Sequence, residues 1–210
     1  MHNTDSRDTL TYKMAKEIWK AGNMVYPVPA VMVSCGSTPK DYNIITISWT
    51  GTINTNPAMC YISVRPSRHS YQLIKDSKSF VINLTTKDLA KATDWCGVKS
   101  GQDFDKFKEL NLTAQKAKFV DAPMIIESPV NIECEVIEIK PLGSHDMFIA
   151  EIKAVHVDEN LIDKTTGALD LRQTNPISYI HGAYYETGSK IGKFGFSVQK
   201  KRKHKHLKSK

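Results

Sequence analysis

The chain has 210 residues, 40% hydrophobic and 24% charged, the composition of an ordinary globular domain. No run approaches the roughly 18 apolar residues that a membrane span needs, and the polar start MHNTDSRDTLTYKMAKEIWK lacks a signal-peptide pattern, so the cytoplasm is the expected compartment. The formal net charge of +7 points to an anionic partner until its location is examined: seven Lys or Arg and no acid lie between Lys200 and Lys210, so the charge belongs to a tail and not to a groove.

In chain order, Tyr12 to Ala21 reads as a short amphipathic helix closed by Gly22 and Asn23. Tyr26-Pro27-Val28-Pro29 is extended, because each proline biases its predecessor toward β geometry. Ala30 to Cys35 is a strand, joined by the turn at Gly36 to Asp41 to the apolar, β-branched run from Asn43. Ser48 to Thr52 reads as a hydroxyl-rich corner, Asn56-Pro57 as a turn, and Ala58 to Val64 as a further strand. Ser67 is placed to cap a helix through Leu73 to Asp76, and Ser79 to Leu84 is a strand. Thr86 is placed to cap a helix through Leu89 and Trp95 that stops at Gly97, with a further helical turn before Phe107. Val130 to Ile139 alternates until Val136-Ile137 breaks the phase, which signals a bulge. Leu142 to Asp146 is a turn, Met147 to Val157 a long strand, and Tyr179 to Tyr185 an aromatic-rich extended segment. Strands outnumber helices and the connections are too short for parallel crossovers, so a small antiparallel barrel with peripheral helices is expected over residues 1–199. Residues 200–210 read as a basic tail, expected to be disordered, without the interleaved aromatics of single-strand binders, so neither nucleic acid nor membrane is an expected partner.

The chemistry concentrates between Asn43 and Ser70. A strand pair ends in hydroxyls and in Arg65 and Arg68 just before a helix, a combination suited to a phosphate: helix starts favour anions and guanidinium groups grip phosphate oxygens. Trp49 adds a flat apolar surface, so a phosphorylated ligand with an aromatic ring fits best. Cys35, Cys60, Cys96 and Cys134 are too widely spaced for a metal site or a disulfide framework; Cys96, at a helix end, is the one to test for reactivity. Glu133 and Glu135 read as solvated carboxylates on a strand face, and Lys106 as an exposed partner of Asp103 and Asp105.

These segments resemble the flavin reductase-like family with an FMN-binding split barrel, most closely its flavoredoxin branch. The matching pieces include Tyr26 to Pro29, Asn43 through Trp49, Ser63 to Arg68, Phe80 to Leu84, Ser100-Gly101, Asp105 to Phe107, Gly143-Ser144-His145-Asp146 and Lys190 to Ser197. The resemblance implies a homodimer with FMN held non-covalently. It implies that Asn43, Thr46, Ser48, Trp49 and Thr50 line the flavin, that Arg65, Arg68 and Ser70 surround its phosphate or ribityl chain, and that Asn83 and Leu84 approach the ring edge through their backbone. Lys106 and His145 match positions near the cofactor, and Tyr184 or Tyr185 the C-terminal aromatic position. For His145 a turn histidine bonding Asp146 is the alternative. No side chain is expected to act as a general base, because the cofactor carries the chemistry. NAD(P)H or a redox protein would be the electron donor. A nicotinamide-independent electron carrier and a non-catalytic binding module are the alternative readings.

Overall fold

The computed structural model describes residues 16–199. Unbroken apolar runs build its centre. The strands β2 (Val31–Cys35) and β3 (Asn43–Ile47) pair antiparallel and are buried on both faces, which is why neither shows a polar alternation. Val33, Ile45 and Ile47 join the main core, whereas Met32 and Ile44, of opposite parity, meet a helical layer outside.

The short β1 is Val28–Pro29, and β4 (Thr50–Thr55) and β5 (Ala58–Val64) form the next hairpin. The expected corner at Ser48 to Thr52 is therefore largely strand. Its β-branched threonines suit an edge position, and Thr50 Oγ1 donates to Tyr61 O at 2.7 Å. Helix α1 (His69–Ser77) follows, and Arg68 rather than Ser67 occupies its N-cap position, with no side-chain cap bond. Strand β6 (Ser79–Asn83) leads to α2 (Ala90–Val98) and the one-turn α3 (Lys106–Glu109). Gly97 lies inside α2, where a Cβ would come within 3.3 Å of the Thr46 side chain, so it allows close approach to β3 and does not stop the helix. Thr86 precedes α2 by a turn and accepts from Leu89 N at 3.4 Å.

The hairpin β7 (Ala114–Lys116) and β8 (Pro123–Ile125) is followed by the twelve-residue strands β9 (Val130–Pro141) and β10 (Asp146–Val157). Their register slips where Glu138 faces Ile149 but Val136 faces Ala150, leaving Ile137 as the bulge signalled by the broken alternation. The antiparallel sheet runs β3-β2-β6-β9-β10-β5-β4 and curls around a core of Ile62, Phe80 and Phe148, with Ile74 of α1 packed into it. Strands β11 (Ile177–Ile180) and β12 (Ala183–Glu186) form a hairpin that pairs with β1. The aromatic segment is thus two strands around a turn at His181-Gly182.

Two further sequence expectations are corrected. Lys16 to Ala21, the described part of the expected N-terminal helix, is exposed and not helical, because no core face receives it; Tyr12 to Ala15 lie outside the described residues, as does the tail from Lys200. Glu133 is completely buried. Its carboxylate accepts from Lys118 N at 2.9 Å, Phe119 N at 2.6 Å and the His156 ring, which meets the cost of burying a charge. Among the described residues, no helix is long and apolar enough to cross a membrane.

Candidate functional site

The curl of the sheet brings the exit of β3 beside the end of β5, where Ser63 N donates to Trp49 O at 2.9 Å. At this junction lies a cleft of about 300 Å³. Thr46, Ser48 and Trp49 line it from β3 and its exit, Arg65 and Arg68 from the β5–α1 connection, and His145 from the β9–β10 turn. A second cleft of about 190 Å³ is lined by Asn43, Ser70, Gly101 and Lys106, together with the residues that open α1. Ile45 and Arg68 line both, so the clefts meet there.

The smaller cleft is built from polar groups that have already lost their water. Asn43 is 3% exposed and donates from Nδ2 to Ser70 Oγ at 2.7 Å. Gly101 lies against that amide: a Cβ there would sit 2.2 Å from Asn43 Oδ1. Lys106, 2% exposed, donates from Nζ to Ile44 O at 2.6 Å and to Cys96 O at 2.8 Å. The Arg68 guanidinium donates to Gly97 O. Two cations thereby satisfy carbonyls that the C-terminus of α2 leaves open, and both also line the clefts. The exposed ion pair expected for Lys106 does not form, because α3 turns the residue inward while Asp103 and Asp105 stay at the surface. Asp105 instead accepts from Lys108 N at 3.2 Å.

Electrostatically the site is one-sided. Among the described residues, no carboxylate lines either cleft, and the ion pairs leave out Arg65, Arg68 and Lys106. Burial pulls Lys106 down to about 8, and Arg68 adds to the fall. His145 bonds Arg65 Nε through Nε2 at 3.4 Å and Ser144 Oγ through Nδ1 at 3.0 Å. Because Arg65 can only donate, Nε2 accepts and Nδ1 carries the proton. Burial and Arg65 lower the His145 pKa from 6.5, so the ring is neutral at neutral pH. It does not bond Asp146, which accepts from Tyr71 Oη at 2.6 Å.

Of the residues singled out in the sequence, the clefts gather Asn43, Thr46, Ser48, Trp49, Arg65, Arg68, Ser70, Lys106 and His145. They do not gather Thr50, committed to the β4–β5 hairpin. Asn83 is fully buried, with its amide spent on Met32 O, Ser34 Oγ, Ile125 N and Asn131 Nδ2. The expected approach was through the backbone: Asn83 sits in the β6 ladder opposite Met32 and Asn131, and Leu84 N donates to Val130 O while Leu84 O accepts from Ser128 Oγ, so the Leu84 backbone is occupied. Tyr184 packs on Tyr179 at 5.6 Å, and it is Tyr179 that lines the larger cleft. Burial and neighbouring Asp94 push the Tyr184 phenol up to about 12. Tyr179, Gly101, His69 and Lys99 are among the lining residues not expected from the sequence; for the first two, the two-residue period of the β11 hairpin and the Ser100-Gly101 pair were the available signals.

The flavin reductase like domain family matches residues 23–188 of the chain. The chain belongs to this family. Its fold is similar to that of flavoredoxin from Desulfovibrio vulgaris (Miyazaki F), with a TM-score of 0.80 and 27% identity over 88% of this chain and 100% of the other. Flavoredoxin from Methanosarcina acetivorans gives 0.78 and 26% over the same shares. An uncharacterized protein of Archaeoglobus fulgidus is 29% identical over 66% of this chain and 77% of its own length. The flavin reductase-like barrel thus accounts for the seven-stranded curled sheet, with the two clefts at its open seam.

Proposed function

We propose that this flavin reductase-like protein binds FMN and moves electrons through it. The observation that carries the reading is the pair of contiguous clefts joined at Arg68: one sized for a flat ring and walled by Trp49, the other small, polar and free of carboxylates. A ring system with a terminal phosphate monoester matches both. The flavoredoxin likeness supports the same cofactor class.

In this reading Asn43, Ser70 and Arg68, with Lys106 beneath them, hold the phosphate, and Trp49 and Thr46 face the ring. Bound FMN supplies reversible hydride and electron transfer. The protein's part is orientation and field. Arg65, whose Nε donates to the neutral His145, presents its remaining donors and positive charge where negative charge gathers on reduction, without either side chain exchanging a proton. The open mouth of the larger cleft admits a nicotinamide or a redox partner.

Purified protein should be yellow, with an FMN-type visible spectrum and release of FMN on denaturation. A colourless protein that also fails to bind added FMN sinks the reading. Steady-state assays with NADH, NADPH and free flavin separate a reductase from a carrier reduced by a protein, the alternative favoured by the flavoredoxin likeness. We also propose a homodimer. Ile18, Trp19, Ile191 and Phe194 are at least three-quarters exposed on the two arms, an apolar surface a lone chain leaves in water. Light scattering at micromolar concentration tests it, and a monomer mass refutes it.

A further inference from the structure

Lys106 carries more donors than the fold uses. Its two hydrogen bonds, to Ile44 O and Cys96 O, are the full donor capacity of a neutral amine. Protonation adds a third N–H, and Lys106, 2% exposed, is among the residues that line the smaller cleft. Among the described residues, the groups that face it offer that donor no anion: Arg68, His69 and Lys99 are basic, and Asn43 and Ser70 are neutral and bond one another. The neighbouring thiols of Cys35 and Cys96 are each held up to about 12 by burial, so both are neutral. Burial without an anionic partner disfavours the charged form.

We propose that Lys106 takes up a proton as a phosphate monoester enters this cleft and donates its third N–H to the incoming anion. The inference deepens the FMN reading and rests on it: the phosphate site is proton-linked, and its occupancy is set by pH through one buried lysine. The neutral amine keeps both carbonyl bonds, so β3 and α2 stay tied together in the ligand-free protein at either protonation state. The ligand thus meets a formed cleft whose charge it completes.

Because Lys106 sits at about 8 in the free protein, the linkage appears near and above that pH. The neutral amine becomes the main form of the free protein as pH rises past that value. Proton uptake on binding should then rise with pH toward about one proton per FMN, with affinity falling toward about tenfold per pH unit once the amine is mostly neutral. A phosphate monoester is already a dianion there, its second ionisation lying near 6.

The experiment is calorimetric titration of the full chain between pH 7 and 9, in paired buffers of different ionisation enthalpy. FMN and riboflavin are the probes, having the same ring with and without the phosphate. FMN should take up protons on this schedule and riboflavin should not. Lys106→Met should bind FMN more weakly at pH 7, with neither proton uptake nor the pH slope; His69 is intact in that variant, so residual uptake would not be that of Lys106. Equal uptake with both probes, or uptake retained in Lys106→Met, overturns the inference. So does FMN binding without uptake across the range, which leaves the FMN reading standing. If the variant fails to fold, the comparison of FMN with riboflavin on the unaltered chain decides. If FMN does not bind at all, the FMN reading fails and takes this inference with it.

Discussion

Replacing Gly101 with alanine tests how tightly the smaller cleft is assembled. The added Cβ would sit 2.2 Å from Asn43 Oδ1, 2.6 Å from Cγ and 2.9 Å from Nδ2, so the amide must retreat by about 1 Å to reach ordinary contact. Asn43 has nowhere easy to go: it is 3% exposed and its Nδ2 bonds Ser70 Oγ at 2.7 Å. Overpacking costs roughly 1–3 kcal/mol, and losing the Asn43–Ser70 bond adds about 1 kcal/mol. Gly101→Ala should therefore destabilise the ligand-free protein by about 2–4 kcal/mol, which for a domain of this size lowers Tm by roughly 5–15 °C. The assay is a double-mutant cycle followed by urea unfolding without ligand. In an Asn43→Ala background the obstructing amide is gone, and Gly101→Ala should cost less than about 0.5 kcal/mol. Equal costs in the two backgrounds would refute the reasoning and place the strain in the backbone instead.

Glu133→Gln keeps the shape but removes a charge that accepts two backbone N–H groups and the His156 ring, and should cost about 2–4 kcal/mol at pH 7. Burial alone would raise the Glu133 pKa, but those donors outweigh it and hold it below 4.5. A depressed carboxyl stabilises the fold above its unfolded pKa, and that contribution is lost as pH falls through the folded value. The stability gap between parent and variant should thus narrow below about pH 4.5; a gap constant down to pH 3 contradicts the assignment. All four cysteines are buried, and Cys35 and Cys96 sit at about 12, so none should react with a thiol reagent at pH 8 until denaturant is added. A fast-reacting native thiol would show access that the packing denies. FMN should bind more tightly than FAD, because an adenylate would have to leave a 190 Å³ cleft past Arg68; equal affinities by calorimetry count against this.

The sequence by itself carried the fold class. Period-two runs, β-branched residues and short connections are local properties, and they marked most strands and the Ile137 bulge before any contact was known. It also brought forward Trp49, Arg65, Arg68 and Ser70, because one stretch of chain supplies both sides of the barrel seam. What depended on distant partners was beyond it. Whether Lys106 faces Asp103 or the interior turns on the open carbonyl of Cys96, ten residues earlier, and on Ile44, sixty-two residues away. Glu133 looks like a solvated carboxylate until the loop at Lys118 and Phe119 and the ring of His156 close over it. Asn83 and Leu84 resemble site residues, but the strands beside them had already claimed their polar groups. A buried polar group goes wherever its hydrogen bonds are met, and which chain segments meet them is decided by tertiary packing alone.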